Sequence, residues 1–150
     1  MNPSSTSIST NAYQNEGHTL KTLIIDDEED MHYLLKNILK QRGITTVSAG
    51  TINEALAYLK DHYDIFLIFL DNRLPDGIGY QYIARLRELT KASIVMVTAY
   101  DTSYDKKMAR ESGADDFIGK PFSKEIILNV VDRILHDRIS RQIKQDPKKS

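Results

Sequence analysis

Two kinds of segment alternate along the chain. Continuously apolar runs recur at Leu23-Ile24-Ile25, Ile65 to Leu70 and Ile94 to Val97, with a weaker run at Thr45 to Ala49 and a short one around Phe117-Ile118. Runs that are apolar at every position and rich in Ile, Val and Phe are what parallel strands covered on both faces require. Between them the apolar residues fall at helical spacing. Met31, Leu34, Leu35 and Ile38 stand at i, i+3, i+4 and i+7, a face that ends near Gly43. Thr51 and Glu54 have the spacing of a capping box ahead of Ala55, Leu56 and Leu59. Tyr82, Ile83 and Leu86 mark a third helix, and Thr102 to Ser112 a fourth, stopped by Gly113. Ser123 is placed to cap a fifth, with Ile127, Val130, Val131 and Ile134 facing inward.

The order is therefore five strands, each followed by a helix. Right-handed crossovers then put helices on both faces of one parallel sheet, an α/β doubly wound fold. The compact domain is expected over residues 21–137. Residues 1–20, rich in Ser, Thr and Asn, are expected to form a disordered tail, as is the end from Asp146 to Ser150. Residues 138–150 make a basic C-terminal extension with five basic residues and one acidic. Within it Ile139 and Ile143 continue the i+4 line of Ile127, Val131 and Leu135, so one reading prolongs the last helix by about two turns. The other readings are a solvated tail, a partner or dimer contact through that stripe, and weak attraction to nucleic acid or anionic lipid.

Composition narrows the chemistry. With 150 residues, one domain plus tails fits, and a two-domain enzyme would be cramped. The absence of cysteine removes disulfides, thiolate zinc sites, Fe–S clusters and cysteine nucleophiles. A net charge of -1 argues against a protein that coats duplex nucleic acid. No signal-peptide core precedes Thr19, and the run from Ile65 to Leu70 is far shorter than the roughly 20 residues of a membrane span. A cytoplasmic protein with no membrane partner is expected.

In an open parallel sheet, ligands collect outside the carboxyl ends of the strands. There the first strand ends in Asp26-Asp27, the third in Asp71, the fourth in Thr98-Ala99 and the fifth in Lys120-Pro121. Three carboxylates, a hydroxyl and an ammonium thus converge on one edge. Clustered carboxylates raise one another's pKa unless a cation neutralises them. Hard oxygen donors without Cys or clustered His point to Mg²⁺ or Mn²⁺. A carboxylate beside such a metal can attack a phosphoryl group to form an acyl phosphate, with Lys120 and the Thr98 hydroxyl holding phosphoryl oxygens.

The segments LIIDDEED, FLDNRLPDGIG, VMVTAY and GADDFIGKPF together resemble the receiver domain of two-component response regulators, over roughly Leu20 to Leu135. The resemblance implies a flavodoxin-like (βα)5 fold with strand order 2-1-3-4-5 and a cis bond before Pro121. It implies that Asp71 is the phosphoacceptor, served by a sensor histidine kinase or a histidine phosphotransfer protein. Asp26, Asp27 and Asp71 would hold Mg²⁺ together with the backbone carbonyl of Arg73, Asp26 acting through water. Thr98 and Lys120 match the phosphoryl-sensing hydroxyl and the bridging lysine.

In this family the ring at the position of Phe117 reorients with phosphorylation, and helix four, strand five and helix five form the output surface. Phe117 lacks the hydroxyl of the commoner Tyr, and a permanently buried core ring is the competing reading. Arg73 and Tyr100 occupy rate-tuning positions, where large side chains would screen the phosphoryl group and slow self-dephosphorylation; ordinary surface residues are the alternative. A homodimer through the output surface or the C-terminal helix is one further expectation. No DNA-binding domain is expected in the thirteen residues after Asp137.

Two rivals fall on local sequence. A phosphatase of the haloacid-dehalogenase type wants an Asp where Arg73 stands, and the acidic run Asp26 to Glu29 would repel a phosphate-bearing cofactor of the flavodoxin kind. A receiver-fold interaction module that works without phosphorylation remains the alternative.

Overall fold

The computed structural model of the chain describes residues 20–99 and 102–145. Residues 1–19 of the expected N-terminal tail, Tyr100 and the end from Asp146 lie outside the described residues; Leu20, counted in that tail, instead packs against the core, and its carbonyl accepts from Thr45 N–H. Five strands form one parallel sheet: β1 (Lys21–Ile25), β2 (Thr45–Ala49), β3 (Ile65–Leu70), β4 (Ser93–Thr98) and β5 (Asp116–Gly119). Their order is β2-β1-β3-β4-β5, so the sheet is the doubly wound, flavodoxin-like one expected. The helices between and after them are α1 (Glu29–Lys40), α2 (Ile52–Asp61), α3 (Ile83–Leu89), α4 (Ser103–Glu111) and α5 (Lys124–Gln145).

Side chains alternate through the sheet. Ile24, Phe69, Val95 and Val97 face α1 and α5, whose Leu35, Ile38, Leu39, Ile127 and Val131 complete that core layer. Leu23, Ile25, Ile68, Leu70, Ile94 and Met96 face the other way, against Ile52, Ala55 and Leu59 of α2, Ile83 and Leu86 of α3 and Ala109 of α4. Burial on both faces is why these strands read as unbroken apolar runs. The alternation slips once. Lys21 pairs with Ile65 and Thr22 with Leu67, which leaves Phe66 as the extra residue of a bulge, on the same side as Leu67.

Helix ends follow their capping chemistry. The Thr51 hydroxyl accepts from the Glu54 N–H, Thr102 from the Asp105 N–H and Ser123 from the Ile126 N–H. The Glu54 carboxylate reaches back to the N–H of Gly50, one residue earlier than a standard box would place it. On α1 the expected face is corrected: Leu34 is 44% exposed, and Leu39 is fully buried in its stead. Met31, Leu35, Ile38 and Leu39 define the inward stripe, and Leu34 sits about a quarter turn off its centre. α5 runs on past Asp137; the guanidinium of Arg138 lies over the Phe66 ring, Ile139 is half-buried and Ile143 exposed.

After β3 the chain does not pass directly into a helix. Arg73–Leu74 and Gly77–Ile78 pair as a short hairpin, and a 3₁₀ turn over Gly79–Tyr82 leads into α3. A Cβ on Gly79 would stand 2.2 Å from the Asp71 carbonyl oxygen, so only glycine lets the returning chain lie against the end of β3. Among the described residues, no helix is long and apolar enough to cross a membrane.

Candidate functional site

The strand ends are tied to one another by backbone hydrogen bonds. Asp26 N–H donates to the Ala49 carbonyl, Asp71 N–H to that of Ile25, and Lys120 N–H to that of Thr98. This row sets the first residues beyond β1 and β3, the last of β4 and the first beyond β5 along one edge. Asp26, Asp71 and Thr98 are buried there, and Asp27 is exposed at the rim. One carboxylate oxygen from each of Asp26, Asp27 and Asp71 lies within 4.8 Å of the others.

The Lys120 ammonium enters this acidic pocket from β5, across a Lys120–Pro121 bond that is cis. It lies 3.0 Å from Asp26 Oδ2, 3.3 Å from Glu28 Oε1 and 3.5 Å from Asp71 Oδ2. Asp26 is also held by the Glu28 N–H on Oδ1 at 2.8 Å, and Asp71 by the Asn72 N–H on Oδ1 at 2.8 Å. Burial pushes the Asp71 carboxyl up to about 6, and the Asp26 charge pushes the same way against the pull of Lys120. For Lys120, burial works to lower the pKa, but the hydrogen bond to Asp26 and the Asp71 charge outweigh it, leaving it above the usual lysine value.

The remaining expected residues are more dispersed. Arg73 opens the hairpin two residues beyond Asp71 and is exposed. Phe117 is half-buried on β5 against the α2–α3 layer, with the Lys106 ammonium 5.9 Å from its ring centroid. Tyr100 lies outside the described residues.

Three neighbours of the pocket were not foreseen. Glu28 is a third acidic partner of Lys120, beside Asp26 and Asp71; the run from Asp26 to Asp30 signalled charge but not which of its members reaches the ammonium. Asp76, at the hairpin turn, accepts from the N–H groups of Ile52 and Asn53, both at 2.9 Å, and so fastens the loop after Asp71 to the start of α2. His32, from the first turn of α1, donates to the Asp26 carbonyl. Asp76 acts on residues distant in the chain, where no local pattern could reveal it.

The donor set fits a hard divalent cation. All the clustered atoms are carboxylate oxygens, and one ammonium faces more than one negative charge. Burial first and the Asp26 charge second raise the pKa of Asp71, and a cation in the pocket would favour its ionised form. Asp26, Asp27 and Asp71 could therefore hold a metal ion.

With this geometry the comparisons agree. The family model described as the response regulator receiver domain matches residues 22–132. Among curated proteins, the transcriptional regulatory protein YxdJ of Bacillus subtilis is 37% identical over 109 residues, covering 72% of this chain and 47% of that protein. Among solved structures, a two-component response regulator from Clostridium difficile superposes with a TM-score of 0.75 at 33% identity, covering 79% of this chain and 97% of that one. A response regulator from Burkholderia pseudomallei, solved with a phosphorylated aspartic acid, calcium ion and citrate, superposes with a TM-score of 0.70 at 27% identity, covering 85% and 75%.

The chain belongs to the response regulator receiver domain family. Such domains are signalling switches of two-component systems rather than enzymes of the ordinary kind, and phosphorylation on Asp and Mg²⁺ binding are typical of them. The chain spans about half the length of the curated relatives it matches.

Proposed function

We propose that this chain is a phosphorylation-dependent signalling switch in which Asp71 accepts a phosphoryl group from the phosphohistidine of a sensor kinase or phosphotransfer protein. What carries the reading is the meeting of Asp71 with Asp26, Asp27 and Lys120 at one strand edge. An Asp71 carboxylate oxygen attacks phosphorus; the P–O bond forms as the P–N bond to the donor imidazole breaks, and the imidazole leaves with the bonding pair. Asn72 N–H holds the other Asp71 oxygen, Oδ1, which leaves Oδ2 on the Lys120 side to react. Lys120, already 3.5 Å from that oxygen, would shift its ammonium onto the incoming phosphoryl oxygens.

Mg²⁺, or Mn²⁺, held by Asp26, Asp27, Asp71 and the Arg73 carbonyl would neutralise charge on the transferring group. The buried Thr98 hydroxyl, at the end of β4, would bind a phosphoryl oxygen and draw the following loop inward. Phe117 then follows, altering the surface of α4, β5 and α5 for a protein target or a second copy. Arg73, with Tyr100 by its place in the sequence, would screen the acyl phosphate from water and slow its hydrolysis.

The test is intact mass after incubation with acetyl phosphate, with and without Mg²⁺, for the wild type and Asp71→Asn. A single phosphoryl increment needing both Mg²⁺ and Asp71 is expected. A folded protein that takes no increment, from acetyl phosphate or from phosphodonor proteins, would sink the switch and leave an interaction module that works without phosphorylation.

A further inference from the structure

The polar atoms of Asp26 are engaged by separate parts of the chain. Its N–H donates to the Ala49 carbonyl, Oδ1 accepts from Glu28 N–H, and Oδ2 accepts from Lys120. Its backbone carbonyl accepts from His32 Nε2 at 2.5 Å. A carbonyl can only accept, so Nε2 carries the hydrogen, and in the neutral ring Nδ1 is then a bare acceptor. That Nδ1 is buried and has no hydrogen-bond partner among the described residues. Leaving a buried acceptor unpaired is unfavourable, and a phenyl ring of similar size would avoid the penalty. The arrangement fits a residue whose donor matters more than its packing.

The carbonyl of Asp26 belongs to the same planar unit as the N–H of Asp27, so fixing its direction fixes the peptide plane from which Asp27 departs. Asp27 needs such a constraint. It is exposed, yet its carboxylate must stay within the 4.8 Å cluster of Asp26 and Asp71 to act with them.

We propose that His32 is a positioning residue for the divalent cation: through the Asp26–Asp27 peptide it holds the Asp27 carboxylate in the ligating arrangement. This rests on the reading of the acidic pocket as a cation site. Support from behind a ligand is a general feature of metal centres, and its loss weakens affinity without removing a ligand.

The test is calorimetric titration of the full chain with Mg²⁺ alone, for the wild type, His32→Phe and His32→Gln, alongside urea unfolding in EDTA. Phe keeps the ring volume and loses the donor; the Gln amide restores an N–H near the Nε2 position. The dissociation constant is expected to rise roughly ten-fold in His32→Phe and to return to within about two-fold of wild type in His32→Gln. A wild type that binds no Mg²⁺ removes the cation site itself, and the proposal with it. A wild type that binds while His32→Phe binds equally well overturns the role of His32 alone, even if the variant unfolds at lower urea. Equal weakening in both variants overturns it too. Should His32→Phe fail to fold, ¹⁵N spectra of the wild-type ring decide: hydrogen on Nε2 supports the proposal, and hydrogen on Nδ1 overturns it.

Discussion

The ammonium of Lys120 lies closer to Asp26, at 3.0 Å, than to Asp71, at 3.5 Å. The lysine is therefore anchored on the acid that stays in place and leans on the one that would react. Replacing it with methionine keeps the stem and strands two buried carboxylates without their cation. We expect Lys120→Met to lose about 3–5 kcal/mol of stability at neutral pH in EDTA, the range for breaking a buried ion pair by removing one partner. Because the folded pKa of Lys120 is raised, its contribution is fully present below the ordinary lysine pKa and fades as pH climbs through the raised value. Urea midpoints of the two proteins that coincide at pH 7 would show the anchoring to be energetically idle.

Asp71 runs the opposite way. Its folded pKa of about 6 exceeds that of a free aspartate, so ionising it costs stability in the fold. The cost is absent below the unfolded pKa of about 3.9, grows as pH rises, and levels off above about 6. Asp71→Asn should thus stabilise the metal-free protein by about 1–3 kcal/mol at pH 8, since two pKa units correspond to roughly 3 kcal/mol and the Lys120 attraction is lost as well. Urea denaturation in EDTA from pH 4 to pH 8 checks it. A gain that grew toward low pH would contradict the argument.

Asp27 separates metal binding from folding. It is exposed and takes part in none of the ion pairs that hold Asp26 and Asp71, so Asp27→Asn should change stability in EDTA by less than about 0.5 kcal/mol. With Mg²⁺ at 100 times its dissociation constant, the wild type should gain about 2.7 kcal/mol. The variant should lose most of that gain. Thermal melts with and without Mg²⁺ read both quantities, and an undiminished Mg²⁺ shift in Asp27→Asn would exclude it from the cation site.

Asp26, Asp27, Asp71 and Lys120 were legible as one cluster, with Thr98 on the same edge, because a parallel sheet leaves little choice: they lie at strand ends, and all the strands end on that edge. The apolar runs and helix caps were legible for a similar reason, being local. Leu34 misled because its spacing suits the helix period while the sheet meets α1 a quarter turn away, on the Leu39 side. His32 reaches back from α1 to a carbonyl only six residues earlier, which its helical spacing does not announce, whereas the bulge at Phe66, the hairpin after Asp71 and the contacts of Asp76 depend on where distant backbone lies. Polar residues in loops carry no periodicity from which such partners could be read.

The Asp76 contact is open to direct measurement. Its two oxygens take the N–H groups of Ile52 and Asn53, complementing the Thr51 cap at the start of α2. Burial alone would raise its pKa, but the two backbone donors hold it below the usual carboxylate value. Its contribution is therefore present above the ordinary aspartate pKa and lost as pH falls through the depressed one. Asp76→Ala should cost about 1 kcal/mol at pH 7, the scale of a helix cap, with the difference closing toward pH 2. Amide exchange at Ile52 and Asn53 should quicken in the variant. Unchanged exchange there would show that Thr51 carries the cap unaided.

Gly79 makes the strictest demand on the loop that follows Asp71. Its N–H donates to the Asn72 carbonyl at 2.6 Å, and an added Cβ would fall 2.2 Å from the Asp71 carbonyl oxygen. That obstacle is backbone at the end of a central strand, so no rotamer change relieves it. Either the loop lifts away, loosening Asn72 and with it the N–H that holds Asp71 Oδ1, or the end of β3 moves. Gly79→Ala should cost about 3 kcal/mol or more, within the class of severe backbone clashes. Where the variant still folds at low temperature, its phosphorylation by acetyl phosphate should slow by at least about ten-fold, the equivalent of roughly 1.4 kcal/mol in misplaced reacting groups. Near-normal phosphorylation of a destabilised Gly79→Ala would mean that the loop and the position of Asp71 are not coupled.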